Sequence, residues 1–595
     1  MRLATHSEFF MHYHIHAVDP KAHLFEVTFT LKNANPSQIF SLPAWLPGSY
    51  MIRDFAKNII EIDAKENQQT LSVTQLDKQT WQLNNQGSHI SLCYQIYAWD
   101  LSVRTAHLDT NHGFFNGSSV FLAANSLEYQ PHTVTIAKPA LAELAHWTLA
   151  TSMTRASGEQ FSFGEFSAEN YDDLIDHPVE MGELTIETFH AASVPHDIVL
   201  SGKHRANMVR LAKDLKAICE YQIDLFGTPA PFKRYVFMTT VLDNGFGGLE
   251  HKASTALMCS RNDLPLSLDT PVDKGYRTYL SLCSHEYFHS WNVKRIKPAE
   301  FTPFDLSQES YTSQLWAYEG ITSYYDDLIT FKSQCIDEKG YLTLLSQIMT
   351  RVYRGEGRFK QTLKQSSFNA WTKFYKQDEN AANAIVSYYT KGALFALYVD
   401  LTIRIETQGK HSLDDVMRQL WQQYGLTGVG TESSSHQQIV ETLLNRPCDD
   451  IFTYLDNTDD LPLKELLAQV GVDMSLRASE GTTDLGGAEA TGYKIGFGAK
   501  TKVESLGLKI LTVSQHSPAH QAGLSAGDLL IAADNLQVTS QFEQQLQSRT
   551  LGEQITLHWF RRDELMQGTL TTSEAALDTI SLSINDATKT QLWLG

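Results

Sequence analysis

The sequence predicts a multidomain α+β chain, and three observations carry that expectation. A length of 595 residues exceeds one hydrophobic core and suits about three to five domains of ~100–200 residues each. The first 165 or so residues alternate apolar and polar positions as strands do, whereas Tyr276 to Trp291 repeats apolar residues at helical spacing without Pro or Gly. A Gly/Thr-rich stretch, Ser479 to Thr491, then reads as a linker before a last strand-rich region.

Taken in order, His12 to His16, Leu24 to Leu31 and Ile90 to Tyr97 read as strands of an N-terminal antiparallel β-sandwich-like domain, residues 1–168. His12, His14 and His16 share one strand face; a solvated or aromatic-packed face explains them better than a metal patch. Pro43 to Phe55 is turn-rich and either packs against a following domain or shapes a cleft. Arg234 to Val241 reads as a buried strand and Leu249 to Met258 as another, at a sheet edge. Between them, Gly245-Phe246-Gly247-Gly248 lacks the spacing and following helix of a dinucleotide loop. Residues 331–478 are expected to be mostly helical, with a loop at Gly355 to Arg358.

His285-Glu286-Tyr287-Phe288-His289 spells H-E-x-x-H. On a helix, positions i and i+4 share a face, so two imidazoles can hold one metal ion while the glutamate between them acts on water. Apolar Leu280, Cys283, Tyr287 and Phe288 support the helix, and Pro298 stops any continuation. With 22 histidines in the chain, an accidental match has a chance of roughly a few per cent.

A third ligand can be named downstream. Glu319 lies inside the apolar and aromatic run Leu315 to Asp326. A lone acid buried there would need a partner, and a metal ion is a good one. His285, His289 and Glu319 would then leave one position open for water. Asp326, seven residues on, either hydrogen-bonds a ligand histidine or belongs to a solvated helix end.

HEYFHSWNVKRIKP (His285 to Pro298), LWAYEGITSYY (Leu315 to Tyr325), GGLEH (Gly247 to His251) and SYYTKG (Ser387 to Gly392) occur in the order found in the M61 metallopeptidases. By these motifs the chain resembles that family, the glycyl aminopeptidases, related to the larger M1 aminopeptidases. The resemblance implies a thermolysin-like (gluzincin) catalytic domain, residues 169–330, with residues 331–478 as its helical part and one Zn2+ as cofactor. It implies that Glu250 binds the substrate's free α-amino group. Gly247 and Gly248 would allow a peptide to pair closely along the edge strand. His251 stands where the M1 motif has Asn. Tyr389 is implied as the donor to the oxyanion, with Tyr388 the second choice. Glu286 would take a proton from the ion-activated water and deliver it to the leaving amine. A preference for N-terminal Gly or Ala is implied by the family alone.

Ser517 to Ile531 (SPAHQAGLSAGDLLI) resembles the signature of a PDZ domain, here residues 488–575. Such domains take peptides or C-termini by strand addition. The loop near Tyr493 to Phe497 would bind the carboxylate; an internal packing module is the alternative.

Composition limits the partners. Lys and Arg total 48 against 68 Asp and Glu, a net charge of −20, which disfavours nucleic acid and anionic membranes. No run of 18 apolar residues exists. The first residues, Met1 to Phe10, lack the apolar core of a secretory leader. The six scattered cysteines, without C-x-x-C, read as reduced core residues of a cytoplasmic protein. The function expected is therefore a zinc aminopeptidase acting on peptides with a free N-terminus. A metallo-endopeptidase is the alternative within enzymes, and a catalytically silent PDZ-based binding or chaperone protein the alternative outside them.

Overall fold

A computed structural model describes residues 10–87 and 89–595; Met1 to Phe9, part of the stretch read as lacking the apolar core of a secretory leader, lie outside these. The chain forms two compact units. One holds Met1–Ser310 with Lys332–Cys335 and Trp421–Gly430; the other holds Tyr311–Phe331, Ile336–Leu420 and Thr431–Gly595.

The first unit begins with an eight-stranded sheet in which Phe10–Asp19, Leu24–Lys32 and Ile90–Tyr97 lie side by side. Strict alternation buries Tyr13, Ile15, Phe25, Val27, Phe29 and Leu92 on one face. The pairing is not purely antiparallel as expected. Phe10–Asp19 runs parallel to His132–Ile136, with Met11 opposite His132, because a long excursion through two four-stranded sheets brings the chain back in the same direction. One of those sheets includes Ala106–Leu108, His112–Phe115, Thr148–Thr151 and Val179–Gly182, so this β region runs on to Gly182. On the outer face His12 meets Thr133 Oγ1 at 2.8 Å and Thr135 Oγ1 at 3.2 Å. His12, His14 and His16 form no metal-holding group among the described residues.

A five-stranded sheet follows, ordered Thr185–Ala191, Val194–Ser201, Tyr235–Leu242, Ser254–Ser260, Phe246–Glu250. The single strand expected over Leu249 to Met258 is two strands. The chain reverses after Glu250, closed by the His251 N–H to Ser254 carbonyl bond of 3.0 Å, and Gly248 comes to lie opposite Leu257. Periodicity does not reveal the turn because His251-Lys252-Ala253 carries no Gly, Pro, Asn or Asp to mark it.

The second unit is helical around Thr390–Thr407, whose residues from Lys391 to Ile403 are all buried, as a helix apolar on every side should be. Glu338–Tyr353 and Leu413–Leu420 pack against it in this unit, and Tyr324 of the helix that begins at Ile321 donates to Asp400 at 2.7 Å. A six-stranded C-terminal sheet carries its own core of Phe497, Leu508, Ile510, Leu530, Phe542 and Leu557. This β region is an insertion. Val472–Ala478 before it pairs with Leu577–Ile584 after it, and the last helix, Ala587–Leu594, returns Trp593 to Tyr324 at 3.3 Å. The expected linker is not loose. Gly486 (φ 85°) lies where a Cβ would come within 2.3 Å of Thr350 Oγ1, and the Gly487 N–H bonds the Ile580 carbonyl at 2.8 Å; its glycines serve close packing rather than flexibility.

Candidate active site

The H-E-x-x-H residues lie on the helix Lys274–Phe288, started by Asp273, whose carboxylate accepts the Tyr276 N–H at 2.9 Å. Three polar contacts seat it on the sheet and the neighbouring helix. Tyr279 and Thr239 hydroxyls meet at 2.8 Å, Tyr287 OH meets His196 Nε2 at 2.9 Å, and Gln222 Nε2 donates to the Ser284 carbonyl and hydroxyl at 3.0 and 3.1 Å. Burial holds His196 down at about 4, so it is a neutral imidazole serving the tyrosine.

The helix is three residues shorter than its apolar spacing predicts. It ends at Phe288, and the chain doubles back so that Lys294 N–H bonds the His289 carbonyl at 3.1 Å. Val293 at the bend has φ 115°, a rare state for a β-branched residue and a sign of imposed geometry. The bend brings the Asn292 carbonyl to 2.7 Å from His289 Nδ1. A carbonyl only accepts, so Nδ1 carries the hydrogen and Nε2 keeps the lone pair a metal needs. The His285 and His289 rings lie 4.7 Å apart and nearly perpendicular. His289 is buried and His285 half-buried.

Glu250, at the end of the edge strand, joins them. One ligand atom each from Glu250, Glu286 and His289 lies within 4.8 Å of the others, and all three residues are buried. Two glycines make room. A Cβ on Gly248 would fall 1.9 Å from Glu286 Oε1, and one on Gly48 (φ 91°) would fall 2.4 Å from both Glu250 oxygens. Gly48 belongs to the turn-rich stretch Pro43 to Phe55, which therefore shapes the site rather than only packing. Gly247 meets nothing nearer than Val103 Cγ2 at 4.0 Å, so its lack of a side chain is not forced by neighbours. Arg104 reaches the Gly248 carbonyl at 3.5 Å.

Several site-building residues escaped sequence reasoning. His251 turns away from Glu250 toward Asp176, at 3.5 Å, and Asp176 lies 2.6 Å from Lys294 Nζ. Although burial opposes its charge, the Lys294 ammonium and His251 hold Asp176 well below the usual carboxylate range, while burial pushes His251 down. Arg295 donates to the carbonyls of Ser290, Lys252 and Pro231 at 2.6, 3.0 and 2.8 Å. It thereby ties the end of the helix to the edge-strand turn. Two basic residues in a motif flanked by Trp291, Val293 and Ile296 were the available signal, since such charges need buried partners.

In the second unit, Glu319 is 1% exposed and sits in a π-helical turn, Trp316–Gly320, that leads into Ile321–Lys332; such turns recur at functional sites. Asp326 is half-buried on that helix. Tyr389 caps Thr390–Thr407, is half-buried and stacks on Phe374 at 5.5 Å, whereas Tyr388 is fully buried. Of the two tyrosines, Tyr389 is the one with accessible surface. Ser387 Oγ accepts the Tyr389 and Thr390 N–H groups at 3.2 and 3.3 Å. The two motifs of this unit touch through glycines: a Cβ on Gly320 would fall 2.5 Å from Gly392 Cα.

Residues 12–183 match the family model of the peptidase M61 N-terminal domain, and residues 278–395 match that of the M61 glycyl aminopeptidase. A solved aminopeptidase N family protein from Idiomarina loihiensis is 45% identical over 98% of this chain and 100% of its own, with a TM-score of 0.96. The chain belongs to the M61 family. An M1 zinc metallopeptidase from Deinococcus radiodurans, solved with a Tyr-Ser-Ala substrate, is 15% identical over 76% of this chain and 94% of its own, with a TM-score of 0.47. Yeast LTA4 hydrolase in complex with bestatin is 13% identical over 76% and 69%, with a TM-score of 0.46. A search of the curated proteins found no match. As an M61 member the protein is a metallopeptidase enzyme. No helix among the described residues is long and apolar enough to cross a membrane.

Proposed function

We propose that this M61 protein is a zinc aminopeptidase that removes small N-terminal residues, Gly or Ala, from peptides. The observation that carries the reading is the buried Glu250 carboxylate beside Glu286 and His289 at the end of an edge strand. An extended peptide added to that strand would present its N-terminal ammonium to Glu250 and its first carbonyl to the H-E-x-x-H helix. An N-terminally blocked peptide would leave the buried carboxylate uncompensated.

His285, His289 and Glu319 are the proposed ligands of one zinc ion. Two imidazoles and a carboxylate suit zinc, the His289 tautomer is the one ligation needs, and the family match runs through all three residues. Zinc, when bound, supplies the Lewis acidity that makes water a nucleophile at neutral pH and polarises the scissile carbonyl. Glu286 takes the proton from water and passes it to the leaving amine. Tyr389 donates its phenolic hydrogen to the developing oxyanion. Gly248 leaves the space Glu286 occupies, and Asp326 is proposed to hold a ligand imidazole in place. Gly247 lets the substrate backbone come close to the edge strand.

The C-terminal β region is proposed to be a PDZ module that packs rather than captures peptide ends. The N–H groups of Lys494 and Ile495, in the loop expected to bind a carboxylate, both donate to Gln547 Oε1 at 2.8 and 3.0 Å. Asn383 bonds Val513 and Gln515 at 2.9 and 3.0 Å, joining the module to the helices of its unit. A cytoplasmic location is supported by the six cysteines, none of which is disulfide-bonded.

The test is a matched pair of peptides, free and acetylated at an N-terminal Gly or Ala, followed by mass spectrometry. Loss of the first residue from the free peptide only is expected, with the rate falling on the order of 10²–10⁴-fold in Glu286→Gln. Internal cuts in both peptides would make the enzyme an endopeptidase and remove the role given to Glu250. Neither peptide being cut by zinc-loaded protein would favour the binding-protein reading.

A further inference from the structure

A cluster of side chains of metal-ligating type lies across the five-stranded sheet from the H-E-x-x-H helix. Thr239 faces that helix through Tyr279, so its strand neighbours Met238 and Thr240 face the other way. With His107, His112 and Glu180 they line a small cleft. One ligand atom each from His107, Asp109 and His112 lies within 4.8 Å of the others. The short hairpin Ala106–Leu108 and His112–Phe115 brings them together, and no part of the peptidase reading uses them.

The cluster has the features of a built site. Asp109 Oδ1 accepts the Asn111 and His112 N–H groups at 2.6 and 3.0 Å, which fixes the carboxylate and leaves Oδ2 at 3.5 Å from His107 Nε2. His112 Nδ1 lies 3.0 Å from Glu180, itself 1% exposed. With its hydrogen on Nδ1, His112 presents the Nε2 lone pair, the arrangement by which carboxylates orient ligand histidines. His107 is 4% exposed and stacks on His112 at 4.9 Å, yet its Nδ1 has no partner. The nitrogen on the side of the carboxylate is Nε2, 3.5 Å from Asp109 Oδ2, and a cation held between the two would take both atoms.

We propose that His107, Asp109 and His112 bind a second divalent cation of the zinc class, oriented by Glu180, which pins the hairpin to the strand Val179–Gly182. Two imidazoles with a carboxylate favour zinc and its first-row neighbours over magnesium or calcium, which prefer oxygen donors.

The test uses the full chain stripped of metal and re-equilibrated with Zn2+ against a chelator that holds free zinc near micromolar. Zinc per chain is read by atomic absorption, and Co2+ replacement by visible absorption. Two ions per chain are expected in the wild type. His285→Ala/His289→Ala should keep one ion, and adding Asp109→Asn and His112→Gln should remove it. Asp109→Asn retains the oxygen that accepts the two backbone N–H groups, so folding should survive. In the otherwise wild-type chain, His112→Gln should lower the count from two to one with peptide cleavage retained. A single ion in the wild type, lost in His285→Ala/His289→Ala, would overturn this site and leave the catalytic reading intact. An ion that persists in the four-fold variant would also overturn it. Zinc that remains in His285→Ala/His289→Ala and leaves with His112→Gln, with no ion lost on removing His285 and His289, would sustain this site and sink the proposed catalytic one.

Discussion

Gly248 and Gly320 sit close in sequence to Glu250 and Glu319, and neither position has room for a side chain, but what fills the space differs. At Gly248 the obstacle is the flexible end of Glu286, 1.9 Å from a built Cβ. At Gly320 every near atom is backbone: Gly392 Cα at 2.5 Å, Gly392 C at 2.7 Å and the Tyr388 carbonyl at 2.9 Å. The first unit keeps room for the end of the Glu286 side chain; the second brings two main chains together with no side chain between them. The first arrangement should be costly to activity and the second to folding, since cores resist overpacking while side-chain tips can move.

Gly320→Ala should have the largest effect. The π-helical turn and Thr390–Thr407 must separate, with a loss of about 3 kcal/mol, measurable as a lowered urea midpoint. A midpoint unchanged from wild type would show that this contact yields freely and would erase the contrast. Gly248→Ala should leave the midpoint nearly unmoved, within about 1 kcal/mol. It should reduce kcat/KM roughly 10²-fold by displacing Glu286. Equal losses in stability and activity would show instead that the edge strand, not the carboxylate, gives way.

The smallest expected effect concerns Lys391, which is 2% exposed and whose Nζ has no partner. Burial lowers its pKa from the ordinary lysine value. The unfolded chain therefore binds more protons than the folded one between the lowered pKa and the ordinary value. Stability contributed by this group rises with pH through that window and falls as pH drops through it. Lys391→Met should be neutral or stabilising by about 1 kcal/mol at neutral pH and should flatten that slope. A clear destabilisation would mean that the amine has a use in the folded protein.

Much of the fold was legible where patterns are local. Alternation located the three long N-terminal strands within three residues at each end, and helical spacing located the H-E-x-x-H helix, though not its end. That end is set by the bend through Val293 and the Asn292 carbonyl, which apolar periodicity does not register. The turn after Glu250 was missed because His251-Lys252-Ala253 holds none of the Gly, Pro, Asn or Asp residues that usually mark a turn. The apparent linker at Ser479 to Thr491 misled in the opposite sense, because glycine permits tight packing as readily as flexibility.

The sequence alone determined the chemistry on offer: two imidazoles four apart, a glutamate between them, a carboxylate in an apolar run and a tyrosine before a helix. These are local facts, fixed by residue type and helical geometry. Only the tertiary structure decided that Gly48 comes against Glu250, that His251 faces Asp176 and Lys294 rather than the proposed substrate subsite, and that the C-terminal β region is inserted between two paired strands. Each of those joins residues about a hundred or more positions apart or selects among several faces open to one side chain. Such choices come from packing and charge pairing across the folded chain, and no local spacing encodes them.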